Sequence, residues 1–333
     1  MSSSEASRGR QWLFRVIALL LGVTLSLAAL EGLCRVFKPV YLGPPDYFSN
    51  FFVADAEFGH KMAPNFNGLY RQDYELTYTT NSLGLRDREF APTPTPGVMR
   101  ILAVGDSWTF GLGVNLPETW PKQLERALGE RGVKAEVINA GVSGYSTLTY
   151  AKVLKRFYDL YHPQLTLVMT CANDPGGDIA VAAGNFDFAV KPNAGVIKTF
   201  LKRHSDLAMN LWILYLSLRT PKNSYTFMDT LTLRPGSDPD LRKGYKLYED
   251  ALVAMRDFAR DKGMPLLLTV VPMGDGFLRH TRDFSRAQQL DYVSLESLKD
   301  DPSINGTNSG GHYNPQGYRR IAVLLADALA QRR

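Results

Sequence analysis

Apolar residues along this chain fall into two rhythms. Short runs without clean alternation stand at 101–104, 165–170 and 265–271, and a briefer one covers 136–139. Between them the spacing lengthens to three and four residues: over 118–131, where Trp120, Leu124 and Leu128 share a face, over 147–160, over 243–262, and over a closing 314–332 opened by Pro315. The first kind of run predicts strands buried on both faces and the second predicts amphipathic helices. A weaker strand is expected over 290–295. Strands alternating with helices predict an α/β fold, a parallel sheet covered on both sides in a three-layer αβα sandwich.

The first hundred residues follow another pattern. Residues 16–30 are uncharged and apolar, and Arg8, Arg10 and Arg15 precede them. With Trp12, Leu13 and Phe14 the stretch reaches about twenty residues if Arg15 snorkels, enough to cross a bilayer. It predicts a cytoplasmic tip and single transmembrane anchor over 1–38, with the body exported. A cleavable signal peptide is the alternative, although no small-x-small site precedes Glu31. Glu31-Gly32-Leu33 is also a poor lead-in for lipid attachment at Cys34. Residues 39–98 read as a juxtamembrane extension: irregular over 38–65, a strand over 74–80, a turn at Asn81-Ser82-Leu83-Gly84, then a stiff linker over 91–97. The α/β domain occupies 99–333. Its rhythm breaks over 175–239, an insertion with one helix expected at 196–218, read equally as a cap beside a site or a second packing layer.

Charge narrows the partners. The net charge is +5, of which residues 1–40 carry +3, leaving 33 basic and 31 acidic residues in the body. No basic stripe marks the folded part, so a nucleic-acid partner is not expected. The two cysteines, Cys34 and Cys171, cannot support a disulfide framework, and no His/Cys/Asp cluster has metal-ligand spacing. Neither cofactor nor metal is expected.

The candidate chemistry lies at strand ends. The run 100–104 stops in Gly105-Asp106-Ser107, which places a hydroxyl at the carboxyl edge of the sheet, where α/β proteins build their sites. Taken alone, Ser107 also suits a helix N-cap. Three more blocks follow: Asn139-Ala140-Gly141-Val142-Ser143-Gly144, then Cys171-Ala172-Asn173-Asp174, then Gly311-His312-Tyr313-Asn314-Pro315-Gln316-Gly317. In order and spacing the four blocks resemble the SGNH, or GDSL-type, hydrolases, and a segment like 81–90 commonly precedes the serine block in membrane-anchored members. The resemblance implies a flavodoxin-like fold and a nucleophilic Ser107 with His312 as its base. It implies an oxyanion hole from the Ser107 and Gly144 N–H groups and the Asn173 amide, with Gly141 the second choice to Gly144. The bland reading of Asn173-Asp174-Pro175 is a turn after a strand. His60, His162, His204 and His280 lie in no motif and read as surface or structural residues.

One departure stands out. The family's aspartate usually stands two or three positions before the histidine, and those positions hold Gly310 and Ser309. Asn308 is next, and the nearest acids are Asp300 and Asp301. Losing the acid from a triad costs about 10⁴ in turnover yet leaves catalysis above background. The sequence therefore predicts an extracytoplasmic serine ester hydrolase working through a Ser107 acyl-enzyme on an ester- or acyl-bearing small molecule or envelope glycan. Two alternatives stay open: an O-acyltransferase modifying an envelope polysaccharide, and a catalytically degenerate carbohydrate-binding module.

Overall fold

The computed structural model describes residues 3–37, 51–71, 75–184, 205, 207, 208, 211, 239–306 and 311–332. The chain divides into two compact units, Met1–Asp46 with Lys191–Lys222, and Tyr47–Val190 with Asn223–Arg333.

In the first unit, helix α1 (Ser3–Phe37) contains a 26-residue stretch, Gln11–Val36, long and apolar enough to cross a membrane. Its large side chains, Trp12, Phe14 and Leu19 to Leu21 among them, are exposed. The helix is apolar all round rather than along one stripe, as a lipid-facing segment requires and a surface helix does not. The hydroxyls of Thr24 and Ser26 turn back onto the carbonyls of Leu20 and Gly22 at 2.8 Å each, so they carry no unmet polar group outward. Past the apolar stretch's centre, the Glu31 carboxylate accepts from Arg35 Nε, Ser205 Oγ and the Leu207 N–H at 2.7, 2.8 and 3.0 Å. The rest of the helix expected at 196–218 lies outside the described residues.

The second unit opens with two antiparallel ribbons, β1 (Phe52–Asp55) with β2 (Gly59–Met62), and β3 (Asn67–Arg71) with β4 (Glu75–Thr79). Only β4 was expected. Four-residue strands between Phe51 and Met62 are too short to display a period, and the stretch reads as irregular for that reason. Then come β5 (Met99–Gly105), α2 (Ser107–Phe110), α3 (Trp120–Glu130), β6 (Ala135–Asn139), α4 (Thr147–Tyr161), β7 (Leu165–Thr170), α5 (Asp174–Ala182), α6 (Pro239–Asp261), β8 (Leu266–Val270), α7 (Asp275–Ala287), β9 (Asp291–Val293) and α8 (Pro315–Ala330). The expected strands and helices after residue 99 stand within a few residues of their predicted places. Helices α5 and α7 were not expected. Pro175-Gly176-Gly177 has turn composition, and α7 turns Thr281 and Ser285 inward, which interrupts its apolar face.

The five parallel strands lie in the order β6-β5-β7-β8-β9. Both faces are buried. Leu102, Val104, Ile138, Val168 and Leu268 pack with Tyr150, Leu154 and Leu252 of α4 and α6. Ile101, Ala103, Val137, Leu167 and Leu267 pack with Trp120, Leu124, Ile321 and Leu325 of α3 and α8. Each such large side chain fully buried contributes roughly 1.5–3 kcal/mol before entropy is counted. This is the αβα sandwich the alternation predicts. The chain leaves β5 to one side for β6, then returns across it to β7. Connections therefore diverge between β5 and β7, and the carboxyl ends of two such strands are where open α/β sheets bind their ligands.

Candidate active site

The carboxyl ends of β5 and β7 are where the first and third blocks meet. β5 ends at Gly105, and Asp106 caps α2 by accepting the Trp108 N–H at 3.0 Å. The cap role thus falls to Asp106, and Ser107 is the first residue of the helix. Around it Asp106, Trp108, Ser143, Ala172 and Asp174 are buried, whereas Ser107, Gly144, Asn173 and His312 keep partial exposure. Four partly exposed residues from four separate segments thus stand among buried neighbours.

Ser107 Oγ lies 2.7 Å from His312 Nε2, joining residues 205 positions apart. The imidazole lies over the Trp108 ring, centroids 4.5 Å apart, and Trp108 meets Tyr313 edge-on at 4.9 Å. The backbone of this last block is fixed on both sides: the Gly306 N–H donates to the His312 carbonyl at 2.8 Å, and the Asn314 N–H to the Ile304 carbonyl at 2.8 Å. Asn314 caps α8 by accepting the Gly317 N–H at 2.9 Å. The residues after the histidine in His-Tyr-Asn-Pro are therefore a helix start that fixes the backbone beside His312. Asn308, Ser309 and Gly310 lie outside the described residues. The Asp301 carboxylate accepts from the Ser303 N–H and Oγ at 2.9 and 2.6 Å and pairs with Arg320. Asp300 is exposed beside Lys299.

In the second block the two glycines separate cleanly. The Gly141 N–H donates to Asn139 Oδ1 at 3.1 Å, and a Cβ there would stand 2.3 Å from the Phe110 nitrogen. Gly141 is a packing glycine against the serine's helix. Gly144 is half-exposed at φ 85°, a left-handed conformation that favours glycine.

Behind the third block stands a group of buried acids to which the sequence pattern gives no role. Asn173 Nδ2 approaches Asp106 Oδ2 at 3.5 Å. Asp174 accepts from Tyr150 OH at 2.8 Å and the Cys171 N–H at 2.9 Å, and Asp178 from the Leu148 N–H at 2.8 Å and from Thr147 Oγ1. Loss of hydration is the largest influence on all three. It pushes Asp106 up to about 7 and Asp178 up to about 6, against the hydrogen bonds they accept. Asp174 is raised well above the usual carboxylate range, first by burial and then by the Asp106 and Asp178 charges. Asp174 and Asp178 lock the segment after Asn173 to α4, and Asp106 ties Asn173 to the start of α2. Asp178 follows Asp174 by four residues, one helical turn, a signal visible only once α5 is known to be a helix.

The segment before the sheet also reaches the site. Arg86, 1% exposed, donates from Nη1 to the Phe110 and Gly111 carbonyls at 3.0 and 2.6 Å, and from Nη2 to Val114 at 2.5 Å. Asp87 accepts the Asn139 N–H at 2.9 Å and pairs with Lys122 at 2.8 Å. Of the remaining histidines, His60 is buried, His162 ends α4, His280 pairs with Glu249 at 2.9 Å, and His204 lies outside the described residues. Among the described residues no cluster of His, Cys, Asp and Glu could hold a metal ion. Cys34 and Cys171 are both free thiols.

Over 75 residues, 22% of the chain, the sequence is 35% identical to an arylesterase from Vibrio mimicus, and the match spans 38% of that relative. Among solved structures, the psychrotrophic esterase EstA from Pseudoalteromonas sp. aligns at 14% identity and TM-score 0.43, over 70% of this chain and 97% of its own. A lipase/acylhydrolase from Enterococcus faecalis aligns at 16% identity and TM-score 0.40, over 70% and 96%. The model of the GDSL-like lipase/acylhydrolase family matches residues 103–320, from inside β5 to the first turns of α8, and the chain belongs to that family.

Proposed function

We propose that the protein is a serine ester hydrolase in which Ser107 forms the acyl-enzyme and His312 is the base. The observation that carries this reading is the 2.7 Å contact between Ser107 Oγ and His312 Nε2, just beyond the carboxyl end of β5. A serine hydroxyl is a weak nucleophile until a base takes its proton, and the distance suits that transfer. Ser107 Oγ attacks the acyl carbon as its proton passes to Nε2. The charge formed on the carbonyl oxygen meets the Ser107 and Gly144 N–H groups and the Asn173 amide. An amide carries two N–H bonds, so one directed at Asp106 leaves the other for the substrate. The intermediate collapses, the alcohol leaves with the proton from His312, and water repeats the sequence to release the acid.

The likeness to an arylesterase makes short aryl esters the first substrates to try. Envelope glycan esters are the physiological class this reading favours, because α1 is suited to anchor the body at a membrane and the basic residues before its apolar stretch favour export of the body. The test compares wild type and Ser107→Ala on aryl acetates. Hydrolysis by the wild type alone supports the reading, and equal rates in the two proteins overturn it.

A further inference from the structure

His60 lies on β2, outside residues 103–320 that match the family model, yet it touches the second block directly. Its Nε2 is 3.1 Å from the Ser143 carbonyl oxygen. A carbonyl has no hydrogen to give, so Nε2 carries the proton and donates. The ring is 4% exposed and meets Phe52 and Tyr145 edge-on, centroids 5.1 and 5.0 Å apart. The backbone of the same residue is held too, since Tyr145 OH donates to the His60 carbonyl at 2.5 Å. Residue 60 therefore grips the turn 143–145 at two points.

The Ser143 carbonyl and the Gly144 N–H are the two ends of one peptide group. The described chain has no cis peptide bond, and in a trans peptide these two dipoles point in opposite directions within one plane. A donor fixed on the carbonyl side sets the plane in which the N–H points away. It also polarises that N–H, as linked hydrogen bonds do in a low-dielectric interior. We propose that His60 is a positioning residue of the oxyanion hole, aiming and strengthening the Gly144 N–H through the Ser143 carbonyl. The inference rests on Gly144 being an oxyanion donor in the reaction above. Gly144, at φ 85°, gains a fixed plane that its own backbone does not impose. Burial, the largest influence, pushes the His60 pKa below the ordinary histidine value, against the Ser143 hydrogen bond and the Asp55 charge, so donation needs no charge on the ring. The benefit falls on the transition state, where charge develops on the substrate oxygen, and not on ground-state binding.

The test uses the full chain in detergent, with His60→Phe, which keeps a ring and removes the donor, and His60→Gln, which keeps an N–H donor. Loss of one oxyanion donor costs about 10²–10³ in kcat, and loss of its alignment is expected to cost about tenfold. His60→Phe should therefore lose about tenfold in kcat with KM little changed, label more slowly with a fluorophosphonate, and be partly rescued by His60→Gln. Should His60→Phe not fold, Tyr145→Phe, which frees the His60 carbonyl, should show a smaller loss of the same kind, with KM unchanged. Wild-type kcat in His60→Phe, equal losses in both His60 variants, or unchanged kcat in Tyr145→Phe where His60→Phe is not folded, would overturn the inference. The two readings fail differently. If Ser107→Ala is inactive and the His60 variants are normal, only the role of His60 falls; if wild type and Ser107→Ala behave alike, the acyl-enzyme falls and this role with it.

Discussion

Replacing Arg86 by methionine measures what the segment before the sheet does for the helix that carries the serine. The guanidinium gives three hydrogen bonds to the Phe110, Gly111 and Val114 carbonyls, and its carbon lies 4.3 Å from the Tyr78 ring centroid and 4.7 Å from that of Phe110. Phe110 is the last residue of α2, and Gly111 is its left-handed cap. Carbonyls at a helix end have no partner within the helix, and a cation there is favoured by the helix dipole as well. Methionine fills much of the same space and suits aromatic surroundings, so the loss is of donors more than of volume. Hydrogen bonds from a charged group contribute about 1.5–3 kcal/mol each. Desolvating the guanidinium cancels a large part of that sum, but each carbonyl left unpaired costs about 1–3 kcal/mol, so a net loss of about 3–5 kcal/mol is expected. At 2–4 °C per kcal/mol, the expected fall in melting temperature is about 10 °C. Thermal unfolding by circular dichroism in detergent reads it, together with aryl-ester turnover at a temperature where both proteins are folded. Arg86→Lys should recover only part of the loss, because an ammonium cannot reproduce the planar fork. A melting temperature within about 2 °C of wild type in Arg86→Met would show that Arg86 does not brace the end of α2.

Three further outcomes are expected. Asn173→Ala should lower kcat by about 10²–10³ if its amide holds the oxyanion, and a near-normal rate would remove it from that role. Asp301→Asn should keep turnover near that of wild type, since its carboxylate is engaged by Ser303 and Arg320; a folded but inactive variant would make Asp301 the acid that orients His312. The buried acids set a pH dependence: Asp178 and Asp106 release their protons in the folded protein only near 6 and 7, whereas an unfolded chain releases them near 4, so stability falls as pH rises across that window. For Asp178 alone the drop is about 3 kcal/mol, and the urea midpoint of wild type should fall between pH 4.5 and 7.5 by more than that of Asp178→Asn, with equal slopes counting against the assignment.

Much of this architecture is legible in the sequence because the sheet is buried on both faces. Runs such as Leu165–Thr170 have no solvent side to disguise them, and Trp120, Leu124 and Leu128 repeat at the helical period. Ser107, Asn173 and His312 are legible for another reason, since each stands at the end of a strand or before a helix, and the fold brings those ends together. Gly141 and Gly144 become distinguishable only in three dimensions, where one N–H is occupied by Asn139 and the other lies at a half-exposed turn. Arg86 and His60 were not legible at all. Their partners are backbone carbonyls 24 to 28 and 83 residues away, and a carbonyl has no side-chain identity to leave a pattern. Helix α5 stayed hidden because Pro175-Gly176-Gly177 argues locally for a turn, while Asp174 and Asp178 tie it to α4 through contacts no local rule contains.

In the proposed reaction Ser107 becomes covalently attached to the substrate's acyl group with His312 as base. Incubating the full chain with a fluorophosphonate, then locating the adduct by peptide mass spectrometry, tests it most directly. One adduct is expected, on Ser107, absent from Ser107→Ala and much slower to form in His312→Ala, with both variants folded. A wild-type protein that stays unlabelled while folded, or an adduct on any other residue, would contradict it.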